Sequence, residues 1–125
     1  MTKHTLFICT CCSFSKTERQ YLGKSGGIHL LEQVSNLYQT WDLQEEFVVQ
    51  EVACLSVCSR PCSVAFVAPN KTTLVFGDLP PLESAADLLQ LGVQYHSSSD
   101  GIVSWKERPE VLKNGLIAKV PPLPS

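Results

Sequence analysis

The chain has 125 residues, 44% hydrophobic and 18% charged, with ten Lys and Arg against twelve Asp and Glu for a net charge of −2. That composition suits one soluble globular domain able to bury a continuous core without disulfides, and it offers no electrostatic drive toward a phosphate backbone, so nucleic acid is not an expected partner. No apolar run approaches the roughly 18 residues of a membrane span, and Met1 to Cys9 lacks a signal-peptide core, so a cytoplasmic protein without a membrane partner is expected.

Taken in order, His4 to Cys9 sets Leu6, Phe7 and Ile8 between β-favouring threonines and predicts a short strand covered on both faces. It runs into Cys9-Thr10-Cys11-Cys12. Ser13 to Gly27 is polar, glycine-containing and without period, which predicts a loop. Its Lys16, Arg19 and Lys24 are candidates to offset thiolate charge, or simply solvated cations. From Ile28 to Trp41, Leu31, Val34, Tyr38 and Trp41 recur at helical spacing with Leu30 and Leu37 beside them, predicting an amphipathic helix. His29 at its start and His96 at the end of a later helix are expected to be solvated or capping residues, with metal ligation in reserve.

Phe47 to Ala53 is β-branched and predicts a second strand that delivers the chain into Cys54. A strand-helix-strand crossover would make the two strands parallel and bring both cysteine segments out at the same, C-terminal, edge of the sheet. Ser63 to Ala68 and Thr72 to Phe76 predict a hairpin around Pro69-Asn70-Lys71. Ser84 is expected to cap a second amphipathic helix carrying Leu88, Leu89 and Val93, with Asp87 in its first turn. Residues 1–96 thus predict a β-α-β-β-β-α domain, and 97–125 a C-terminal extension packed on it, with Leu116 to Val120 as an added strand or extended arm.

All six cysteines fall in two clusters, Cys9-Thr10-Cys11-Cys12 and Cys54 to Cys62. In a reducing compartment, clustered thiols point to metal ligation or redox chemistry before a disulfide framework, the bland alternative being buried apolar packing. Cys9 and Cys12 have the C-x-x-C separation at which a turn brings two sulfurs to one metal, and Cys11 competes with Cys12. In the second cluster Pro61 rules out a continuous helix through Cys62, because it lacks an N–H and would clash with the carbonyl of Val57. Cys54 and Cys58 are therefore the favoured pair, and Cys62 a buried or supporting thiol.

The cysteine segment after the first strand and the Cys54/Cys58 pair after the second resemble the thioredoxin-like 2Fe-2S ferredoxins and the related small subunit of respiratory NADH dehydrogenases. Together with Phe76-Gly77-Asp78-Leu79, Asp100 to Trp105, Arg108-Pro109 and Ile117 to Pro122, the clusters look more closely like an uncharacterised bacterial family described as predicted metal-binding, ferredoxin-like proteins. The resemblance implies an α/β thioredoxin-like sandwich, Cys9, Cys12, Cys54 and Cys58 as ligands of a 2Fe-2S cluster with Cys11 and Cys62 in reserve, a redox partner protein and a homodimer. The family's ferredoxins generally separate the first two cysteines by many more residues than Cys9 and Cys12.

Three functions stay open at this point. An electron carrier needs four thiolates, a cluster near the surface and a weak docking face, for which Arg60, Lys106 and Arg108 are candidates. A zinc or other metal-binding protein in metal homeostasis or cobalamin-related metabolism would use the same thiols. A thiol-disulfide oxidoreductase would use Cys9-Thr10-Cys11-Cys12, but the motif leads into a polar loop and leaves three other thiols unexplained. There is no Ser-His-Asp, paired-carboxylate or phosphate-loop pattern, so no enzyme activity is assigned.

Overall fold

The computed structural model describes residues 4–10, 20–52, 62–113 and 115–122. The first strand, β1 (His4–Cys9), is followed by a small hairpin of β2 (Gln20–Tyr21) and β3 (Lys24–Ser25), then by helix α1 (Gly26–Tyr38). Strands β4 (Phe47–Val52), β5 (Val64–Val67) and β6 (Thr73–Phe76), helix α2 (Ala85–Ser97), two single 3-10 turns and β7 (Leu116–Val120) complete the chain. The main sheet has five strands in the order β4-β1-β5-β6-β7. Strands β1 and β4 are parallel, as the crossover through α1 requires, and every other neighbouring pair is antiparallel.

The strand register decides which residues share a face. Leu6 pairs with Val49 and Phe66, Ile8 with Val64, and Val64 with Phe76, so alternation puts these side chains on one face. That face is the core, where they meet Leu30 and Val34 of α1 and Leu88, Leu91 and Tyr95 of α2. The opposite face carries Thr5 and Phe7, both half-buried, and Cys9, which is buried.

The turn between β5 and β6 uses Asn70 in the left-handed region, φ 62°, a conformation Asn tolerates better than most residues. The tail contributes β7, which extends the sheet beyond β6. Among the described residues no helix is long and apolar enough to cross a membrane.

Three local expectations need correction. The polar stretch before α1 holds a two-stranded hairpin whose turn, Leu22-Gly23, has φ of 54° and 80°. Helix α1 begins two residues before Ile28, because the Ser25 hydroxyl accepts the Ile28 N–H and caps the helix there, and it ends at Tyr38, before Trp41. Trp41 instead lays its ring 5.1 Å from that of Phe47 in the turn leading to β4. Ser84 precedes α2 but makes no side-chain cap; its hydroxyl donates to the Pro80 carbonyl at 2.7 Å.

Candidate metal centre

The two strands that lead into the cysteine segments end side by side. Cys9, the last residue of β1, is in register with Val52, the last of β4. Both cysteine segments therefore leave the same edge of the sheet, and Cys54 follows two residues after Val52 in sequence. Cys11, Cys12, Cys54 and Cys58 lie outside the described residues, as do Lys16, Arg19 and Arg60. Among the described residues, no group of three or more His, Cys, Asp or Glu side chains is placed to hold a metal ion.

The two described thiols differ in setting. Cys9 is fully buried, yet it stands outside the apolar cluster that unites the sheet with α1 and α2. Its position after Ile8 in the strand turns it to the other face. Cys62 is equally buried, but inside that cluster, with its backbone at φ 35°. For a residue with a Cβ that conformation is strained. Cys9 N–H donates to the Ser63 carbonyl at 3.0 Å, so the strand holding Cys9 is tied to the residue following Cys62.

Backbone groups and small residues make close contacts to the segment Cys9-Thr10. Thr10 donates to the Val52 carbonyl twice, through its N–H at 2.9 Å and its hydroxyl at 3.2 Å. The Thr10 carbonyl accepts from the Ser25 hydroxyl. Helix α1 starts directly on this segment: a Cβ added at Gly27 would lie 1.9 Å from the Cys9 carbonyl oxygen and 2.8 Å from Thr10 Cα. Only glycine permits that approach. The positive end of the helix dipole is thereby brought to the segment that carries Cys9, which favours negative charge there.

The remaining candidates are placed as follows. His29, expected to be solvated or capping, is instead buried, its Nε2 2.6 Å from the Tyr21 carbonyl, and it fastens the β2-β3 hairpin to α1. Lys24 forms an ion pair with Glu32 at 2.9 Å. Arg108, a docking candidate in the sequence, serves the fold: Nε donates to the Val103 carbonyl at 3.1 Å, Nη1 to the Lys113 carbonyl at 3.3 Å, and its guanidinium lies over the Phe76 ring. Burial lowers its pKa.

A second cluster of ionisable groups occupies the far end of β1. Lys71 Nζ donates to the carbonyls of Tyr95 and His96 at 2.8 and 3.0 Å and to His4 Nε2 at 2.8 Å. The His4 ring packs against Phe47, Tyr95 and His96. Burial, then the charges of Lys71 and His96, hold the His4 pKa below its ordinary value, with Glu46 partly opposing. Burial likewise pushes the Tyr95 phenol up to about 12 while its hydroxyl donates to the Thr72 carbonyl at 2.7 Å.

Sequence reasoning missed Thr10, Ser25 and Gly27, which shape the cysteine edge without carrying thiols. Ser25-Gly26-Gly27 immediately before an apolar helical period was the available signal, a capping serine followed by residues that allow close packing.

This architecture is the thioredoxin-like α/β fold. Over 98% of its length the chain superposes on 96% of the structure of a thioredoxin-like 2Fe-2S ferredoxin from Aquifex aeolicus, with a TM-score of 0.61 at 14% identity. By sequence, residues 6–122 match the family described as protein of unknown function (DUF1636), and the chain belongs to that family. No curated protein matches it.

Proposed function

We propose that this chain is a ferredoxin-like electron carrier whose Cys9, Cys12, Cys54 and Cys58 thiolates hold a 2Fe-2S cluster, with Cys11 and Cys62 in reserve. The observation that carries the reading is the register of Cys9 with Val52, which starts both cysteine segments from one sheet edge. The thioredoxin-like fold, shared with a thioredoxin-like 2Fe-2S ferredoxin, supports it. Cys62 belongs to the core cluster and Cys9 does not, which favours Cys62 as a packing thiol. When bound, such a cluster supplies a one-electron redox couple. The chain's own part is to present deprotonated sulfurs at the sheet edge, with the α1 N-terminus favouring their negative charge. The partner is then a redox protein in the cytoplasm.

A second reading, a zinc-binding protein, draws on the same all-thiol donor set, which suits tetrahedral Zn2+ equally. The disulfide oxidoreductase reading is weaker: the β2-β3 hairpin intervenes between Cys12 and α1, so α1 does not directly follow the C-x-x-C motif as the helix of a thiol-activating motif would.

Protein purified without oxygen should be brown, with visible charge-transfer absorption and equal amounts of iron and acid-labile sulfide. A colourless protein with stoichiometric zinc would establish the second reading. In either case the double substitution Cys54→Ser, Cys58→Ser should abolish metal binding, and full retention of metal would remove this site from consideration.

A further inference from the structure

We propose that Thr10 and Ser25 are positioning residues that hold the two cysteine-bearing segments in fixed relation to each other and to helix α1. The inference rests on the reading that the thiols at this edge share a metal.

Three hydrogen bonds meet at Thr10. Its N–H and its hydroxyl both donate to the carbonyl of Val52, and its own carbonyl accepts from the Ser25 hydroxyl. A carbonyl oxygen has two lone pairs, so Val52 accommodates both donors. The Ser25 oxygen in turn accepts the Ile28 N–H at 3.3 Å. One proton and one acceptor site of that hydroxyl are each used, so the cap of α1 and the anchor of Thr10 are the same group. The result is a continuous chain from the first turn of α1, through the residue between Cys9 and Cys11, to the residue two before Cys54. No other described contact joins all three segments at this edge.

A network of this kind resists displacement of one ligand segment relative to the other. Thiolate sites lose metal when one ligand swings away, so groups that orient the ligands govern how long the metal stays. Truncating such supporting groups characteristically costs on the order of 10–100-fold in metal affinity. A merely structural role would change folding stability and leave metal retention alone.

The test uses the full chain, reduced and loaded with Zn2+, and follows zinc release to a chelating dye alongside urea unfolding of the metal-free protein. Thr10→Val keeps the β-branched shape and removes the hydroxyl; Ser25→Ala removes both of that hydroxyl's bonds. Each should release zinc about tenfold faster than the parent. Thr10→Ser and Ser25→Thr, which keep a hydroxyl, should release it near the parent rate. Tyr95→Phe removes a buried hydroxyl-to-carbonyl bond to Thr72, at the opposite end of β1 beside His4. It should lower the unfolding midpoint without altering release.

Parent-like release from both Thr10→Val and Ser25→Ala, in a chain that binds zinc, overturns the positioning role and leaves the metal site standing. A parent chain that takes up neither zinc nor a cluster overturns the underlying site and this inference with it. Ser25 is a half-exposed cap, so Ser25→Ala decides the question if Thr10→Val does not fold.

Discussion

The two ends of β1 are built from opposite materials. At the C-terminal end Cys9 and Thr10 are held by backbone amides, two hydroxyls and a glycine packed against a carbonyl. At the N-terminal end His4 is enclosed by aromatic rings and tied to the Lys71 ammonium, which also binds the last carbonyls of α2. A cation placed there complements the negative end of that helix dipole. The far end thus uses ionisable side chains as structural fasteners. Among the described residues, these bonds at the cysteine end join neutral groups, and the α1 terminus favours negative charge there.

The sharpest break in this contrast comes from Gly27→Ala. Its Cβ would meet backbone that cannot swing aside, so a loss of about 3 kcal/mol is expected in urea unfolding, at the upper end for overpacking. A loss below that of an ordinary exposed helix substitution would show that α1 does not bear on Cys9. Next in size, Tyr95→Phe leaves the buried Thr72 carbonyl without its phenol donor and should cost about 1–3 kcal/mol. Thermal unfolding of the two chains measures it directly.

The far end should also respond to pH. The folded His4 pKa lies below its ordinary value of 6.5, so the unfolded chain binds the proton more readily. The stability from neutral His4 is complete above about pH 6.5 and is lost as pH falls through the folded value. A charged imidazolium could no longer accept the Lys71 hydrogen bond. The urea midpoint should therefore drop between pH 7.5 and pH 5.5, and His4→Gln should flatten that part of the profile. An unchanged slope in the variant would show that His4 does not carry the pH response.

The smallest effect concerns the hairpin beside the cysteine edge. Leu22 is 79% exposed at φ 54°, strained and with its side chain in solvent. Leu22→Asn should stabilise the fold by about 0.5–1 kcal/mol, since Asn tolerates the left-handed region that a type I′ turn requires. Equal or lower stability in a urea titration would argue that Leu22 makes contacts that offset its strain.

Much of the scaffold was legible because period and composition coincide with burial. Leu6 and Ile8, Val64 and Phe66, and the apolar spacing of α1 and α2 all mark faces that meet in one core. The β2-β3 hairpin was not legible: its strands are two residues long and largely exposed, so no hydrophobic alternation exists to read. Ser84 illustrates a different failure. Its place before α2 fits a cap, but its backbone is already in the helical region at φ −99° and ψ −11°, unlike the extended backbone of a capping residue, and its hydroxyl turns to the Pro80 carbonyl, a conformation that local sequence does not display.

The sequence by itself determined the alternation of strand and helix and the gathering of all six cysteines into two clusters, because side-chain period and residue spacing are local properties. Only the tertiary structure decided that Cys9 ends opposite Val52, that Cys62 belongs to the core, and that Ser25 and Gly27 serve the first cysteine segment from fifteen or more residues away. Those relations arise from strand register and from backbone surfaces in contact, which no single stretch of the chain encodes alone.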